Sequence, residues 1–162
     1  MKKIIKNSFL ILITAIIFNC QNNQVVVEKM KDINPPGWHR DSIFQLYFKP
    51  DMTNQYDIFF IVRNDNNYPY SNIFLIASIE DSNKKIIDTL EYEMADAQGR
   101  WLGSGIWDLR ESKLIYKKNF QTDTLPLHIT VQQAVRKPGK EIGDEFLPGI
   151  KTIGVIIEKR IN

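Results

Sequence analysis

The chain of 162 residues has one cysteine and two histidines. A lone cysteine allows no internal disulfide. Zinc sites need three or four ligands, and His39 and His128 have no partner at metal-ligand spacing, so no metal centre is expected. No stretch keeps an apolar period of 3.6 residues, so amphipathic helices are not expected. There is no basic stripe interleaved with aromatics, so nucleic-acid binding is not expected. Internal repeats and low-complexity tracts are also lacking. The composition, 43% hydrophobic and 25% charged, is that of a globular domain, which argues against disorder and multi-span membrane classes. At this length one domain can bury a core without disulfides or metal.

The one long apolar run is at the N-terminus. Lys2, Lys3 and Lys6 form a positive region, followed by about ten apolar residues from Phe9 to Phe18. That matches a signal-peptide core and falls short of the roughly 20 residues that span a bilayer as a helix. The run stops at Asn19-Cys20 and gives way to Gln21-Asn22-Asn23-Gln24. Cys20 directly after such a run, with Ile17 three positions before it, resembles a lipobox, although Asn19 departs from the usual small residue. The expectation is cleavage before Cys20 and acylation of its thiolate, a good nucleophile. Several acyl chains at ~0.8 kcal/mol per buried methylene give a stable anchor. Loss of the three lysines takes the formal charge from +2 to −1. An uncleaved anchor helix and an ordinary signal peptide are the alternatives. The implied organisation is a signal peptide over residues 1–19, a lipidated polar tether over 20–34 with a short strand at Val25-Val26-Val27, and a folded domain over 35–162.

Beyond the Pro35-Pro36-Gly37 breaker, period-two patterning dominates. Strands are expected over residues 43–48, 56–63, 73–79, 86–94, 113–120, 127–131 and 152–158. Tyr56, Ile58, Phe60 and Val62 share one face, as do Leu127, Ile129 and Val131. Residues 73–79 are apolar on both faces, which marks a central strand. Short strands separated by polar turns predict an all-β fold, a single antiparallel β-sandwich.

Residues 95–109 stand apart, with three glycines and two tryptophans. Gly103-Ser104-Gly105 lacks the spacing of a nucleophile elbow, and the Gly99/Gly103/Gly105 pattern lacks the Lys-Ser/Thr end of a phosphate loop. Arg100, Trp101 and Trp107 are residue types that dominate interface hot spots, so they are candidates for partner binding, with Tyr68 and Tyr70 alongside. The competing reading is a packed corner, in which glycines permit tight turns and tyrosine hydroxyls bond locally. Asp88, Glu91, Glu93, Asp96 and Asp108 make a hydrolase the second alternative. Exposed Trp and Tyr leave a carbohydrate-binding lipoprotein as the nearer alternative.

Arg63-Asn64, Tyr68-Pro69-Tyr70-Ser71-Asn72, Asp88-Thr89-Leu90, Ala95-Asp96 and Gly99-Arg100-Trp101-Leu102-Gly103-Ser104-Gly105 together resemble the gliding motility lipoprotein GldH family of Bacteroidetes. The ending from Leu147-Pro148-Gly149-Ile150 through Gly154 to Glu158 fits as well. Val135-Arg136 and Leu125-Pro126-Leu127 depart from that pattern without removing a chemical group. The resemblance implies a non-enzymatic lipoprotein of the gliding machinery, associated with type IX protein secretion and working through other machinery proteins, without a cofactor. It also implies an outer-membrane location, the lipid at Cys20 holding the domain toward the periplasm.

Overall fold

The computed structural model describes residues 23–136, 139 and 143–161. The expected signal peptide and Cys20 lie outside the described residues. Ten strands follow in chain order: β1 Gln24–Asp32, β2 Trp38–His39, β3 Phe44–Phe48, β4 Tyr56–Asn64, β5 Asn72–Glu80, β6 Lys85–Glu93, β7 Arg110–Phe120, β8 Leu127–Gln133, β9 Phe146–Leu147 and β10 Ile150–Lys159. Two four-stranded sheets, ordered β1-β10-β4-β7 and β3-β8-β5-β6, pack as a sandwich, with a short β2-β9 ladder at one end. Every ladder is antiparallel. The all-β sandwich read from the alternation is the fold observed.

Alternation fills the space between the sheets. Ile58, Phe60, Val62, Ile153, Val155 and Ile157 from the first sheet meet Leu75, Ala77, Leu127, Ile129 and Val131 from the second, all buried in one cluster. Side chains of this kind stabilise by about 1.5–3 kcal/mol each when fully buried. β5 and β10, apolar on both faces, occupy inner positions in their sheets. On the outer face of β8, Thr130 bonds Ser78 across the ladder at 2.6 Å, and His128 stacks on Tyr47 at 4.3 Å. Trp38 enters the core with its indole N–H donating to the Ser42 carbonyl.

The structure differs from the expectation at the N-terminal side. The stretch read as tether with a three-residue strand is a nine-residue edge strand, β1, paired along β10 from Gln24↔Lys159 to Asp32↔Thr152. Most of its side chains are exposed. Its order comes from backbone pairing to β10, which leaves little trace in hydropathy.

The register defines two poles. At one, β1, β4, β6 and β8 begin while β3, β5, β7 and β10 end, and the loops 49–55, 81–84 and 121–126 close it. At the other lie the 65–71 and 94–109 segments, residues 33–43 and the approach to β9. Nine strand residues at about 3.3 Å each hold the poles roughly 30 Å apart.

Candidate functional site

The sequence-derived candidates gather at the second pole, but in two environments. The 65–71 turn is built around Asp65. Its carboxylate accepts from the Asn67 amide at 2.9 Å, the Asn67 side chain at 3.0 Å and the Lys151 ammonium at 2.8 Å. Burial opposes its charge, yet these partners outweigh it and hold the carboxyl below its usual range. Tyr68 is 3% exposed, and its hydroxyl donates to the Asn72 carbonyl at 2.7 Å. Burial raises its phenol strongly, with Tyr70 adding to the effect. Gly149, at φ +79°, passes so close to Tyr68 that a Cβ would fall on the Tyr68 amide. Tyr70 stands edge-on to Tyr68 at 5.9 Å and donates to Asp144. Burial and then Asp144 push its phenol up to about 12.

Trp101 tilts against Tyr68 at 6.2 Å and its indole N–H donates to Asn66 at 3.0 Å. Residues 95–101 form a tight hairpin, bridged at Ala95↔Trp101. Asp96 organises it, accepting the Gln98 and Arg100 amides at 2.9 Å and the Arg100 guanidinium at 2.7 Å. The Arg100 amide, followed by its side chain, holds the Asp96 carboxyl below its ordinary value despite some burial.

The next residues turn outward. Ser104 and Glu111 exchange backbone hydrogen bonds at 2.9 and 2.7 Å, closing a neck. Gly105 fits that neck because a Cβ would strike the Leu109 carbonyl. Beyond it Trp107 is 88% exposed and Ile106 77%, with Leu102 and Leu109 exposed beside them. Trp107 sits at φ +58°, in the left-handed region that disfavours side chains with a Cβ. Leu102, Ile106 and Leu109 were not singled out from the sequence. The signal available was an apolar series with no period, interrupted by Gly103 and Gly105.

The five candidates are therefore neighbours that divide by role. Tyr68 is core, Tyr70 and Trp101 are half-buried with their polar atoms engaged, and Arg100 is exposed but paired to Asp96. Trp107 alone among them projects unsupported. Trp101, Trp107 and Tyr70 do not make three equally exposed rings on which a sugar could stack.

The acidic residues are scattered among separate partners. Asp88 accepts from Tyr116 and Lys117, Glu91 from Asn72, and Glu111 pairs with Arg63 at 2.7 Å. Glu93 and Glu111 both border an open groove, where Arg63 neutralises the latter. Among the described residues no group of three or more His, Cys, Asp or Glu could hold a metal ion. A depression of about 460 Å³ on the outer face of the second sheet is flanked by Arg40 and Arg136. The amides of Gln132 and Gln133 beside it are already donated to backbone carbonyls.

Relatives supply what this geometry alone does not. One, "Gliding motility lipoprotein GldH homolog" of Christiangramia forsetii, is 40% identical over 95% of this chain and 96% of its own length. Another, "Gliding motility lipoprotein GldH" of Flavobacterium johnsoniae, is 39% identical over 96% and 98%. Among solved structures, the infectious bursal disease virus VP2 subviral particle overlays 86% of this chain and 40% of that one. Its identity is 13% and its TM-score 0.29. The GldH lipoprotein model matches residues 25–157, from the edge strand β1 into the last strand, and the chain belongs to the GldH lipoprotein family.

Proposed function

We propose that this chain is a non-enzymatic, lipid-anchored component of the gliding motility machinery, tied to type IX secretion. It is held at the outer membrane by Cys20, faces the periplasm, and acts by contact with another protein of that machinery. The names of its relatives support the motility role, and the apolar segment ending at Cys20 supports the anchor.

The observation that carries contact as the mode of action is the Trp107 loop. An exposed indole on a left-handed backbone and the exposed Ile106 beside it add nothing to the core. Backbone strain at an exposed position is a reason to look for function there. Large apolar side chains of this kind supply binding energy when a partner covers them, and truncating a hot spot costs about 2 kcal/mol or more. The occupant expected is an apolar patch on a motility protein. Tyr68, Tyr70, Arg100 and Trp101 lie at the same pole as the loop.

Anchoring is tested by Cys20→Ser. Fractionation should move the protein from membranes to the soluble periplasm, and the mature mass should lose its acyl chains. An unmodified Cys20 in the wild type would overturn the anchor. Protease added to intact cells should leave the domain whole until the outer membrane is ruptured; digestion before rupture contradicts the periplasmic orientation.

A further inference from the structure

We propose that the pole of the sandwich where β1 begins rests on the lipid headgroups, so that the domain stands end-on and presents the Trp107 loop away from the membrane. This rests on acylation of Cys20. It follows from where the ordered strand starts.

β1 begins at Gln24, four positions after Cys20. Four residues, fully extended, reach at most about 14 Å. The first strand residue is therefore held within about 14 Å of the acylated cysteine, within reach of the headgroup layer. Whatever surrounds Gln24 meets the bilayer surface. A tether running to residue 34 would have allowed free tumbling, and pairing with β10 removes that slack.

The register names the surroundings. Gln24 lies opposite Lys159, and Lys159 opposite Tyr56. The Arg160 amide donates to the Gln55 carbonyl at 2.9 Å. Gln121 bonds the Met52 carbonyl at 3.0 Å and Ser82 bonds the Leu125 carbonyl at 3.1 Å, so the three closing loops form one surface. That surface carries exposed Val25, Val26, Met52, Leu125 and Ile161.

The charges match a zwitterionic interface better than a strongly anionic one. Lys49, Lys84, Lys118 and Lys159 stand among Asp51, Asp81 and Asp123. Asp51 and Asp81 are turned into their own loops. Asp51 accepts from the Thr53 amide and hydroxyl, and Asp81 from the Asn83 and Lys84 amides. Lysine stems lie along apolar surface while the ammonium reaches phosphate. Apolar tips with intervening lysines suit shallow burial at the headgroup level. With the domain end-on, the opposite pole stands roughly 30 Å from that surface.

The test uses the lipidated protein in vesicles composed mainly of phosphatidylethanolamine, doped with a headgroup-nitroxide lipid. Acylated Cys20 leaves no other thiol, so single cysteines at Met52→Cys, Leu125→Cys and Ala97→Cys each take one fluorophore. Ala97 lies on the 94–109 segment and is exposed. The labels at positions 52 and 125 should be quenched several-fold more than the label at 97, with little dependence on salt. Equal quenching at all three positions, or stronger quenching at 97, overturns the end-on arrangement. So does shielding of the position 52 label by a protein without lipid quenching. Intact mass on the same samples separates the two failures. An acylated protein with unquenched 52 and 125 labels defeats the orientation alone, and an unacylated one defeats the anchor and the orientation together.

Discussion

Two stretches of the same pole each carry a tryptophan and have opposite relations to the fold. The corner formed by Tyr68, Tyr70 and Trp101 is packed and bonded through Asn72, Asp144 and Asn66. The loop from Gly105 to Leu109 begins four residues after Trp101, yet its tryptophan and isoleucine project into solvent. Each has a tryptophan, a nearby glycine and a nearby arginine. What separates them is whether the backbone gives each polar atom a partner and each ring a neighbour. The corner is part of the structure; the loop is carried by it. Variants in the two stretches should therefore fail in different equilibria.

The largest effect is expected at Tyr68. Replacing it with alanine removes a fully packed ring and leaves the Asn72 carbonyl short of a donor. Losses of about 3–5 kcal/mol accompany such truncations. Chemical denaturation of the isolated domain should show the unfolding free energy fall by that amount, and gliding should fail through loss of folded protein. A stable Tyr68→Ala domain would dissolve the distinction between corner and loop.

A smaller loss, with a pH signature, is expected at Asp65→Asn. The folded-state carboxyl is held below its ordinary value, so its contribution is complete above the unfolded pKa. It is lost as pH falls through the lower, folded one. Hydrogen bonds to a charged group contribute roughly 1.5–3 kcal/mol. The variant should be destabilised near the bottom of that range at neutral pH, and the gap to wild type should close in strong acid. Unfolding curves of both proteins across pH check this. A gap that is the same at every pH would mean the charge of Asp65 contributes nothing and only its shape matters.

How far the sequence revealed this division depends on which force orders each part. β4, β5, β8 and β10 were legible because burial between two sheets imposes alternation, or apolarity on both faces, and hydropathy records it directly. β7 starts at Arg110, ahead of the expected position. Arg110 and Glu111 are charged, and what holds them is pairing to Asn64 and Arg63 with the Arg63–Glu111 ion pair. β1 was legible only at Val25-Val26-Val27 for the same reason, as an exposed edge kept by backbone bonds to β10. The two-residue β2 and β9 are too short for any period. At the pole, residue type drew attention to Tyr68, Tyr70, Arg100, Trp101 and Trp107 but could not say which rings face inward. That depends on Gly149, Asp144 and Lys151, distant in sequence, and on the left-handed turn at Trp107.

The smallest effect on stability, and the one that most sharpens the comparison, is expected at Trp107→Gly. A non-glycine residue in the left-handed region gives up roughly 1–2 kcal/mol. Glycine relieves that, while its greater freedom in the unfolded chain returns about 0.5–1 kcal/mol of the gain. The indole is 88% exposed, so little burial is lost. These contributions partly offset, and stability should match wild type or exceed it by up to about 1.5 kcal/mol. If the loop is a docking surface, the same substitution removes its largest apolar contact, and gliding should be lost at normal protein abundance. Thermal unfolding of the soluble domain, immunoblot of cells and colony spreading measure the three quantities. Normal spreading by a stable Trp107→Gly strain would remove the docking role from this residue. A melting temperature lowered as far as that of Tyr68→Ala would instead make the loop a second part of the corner.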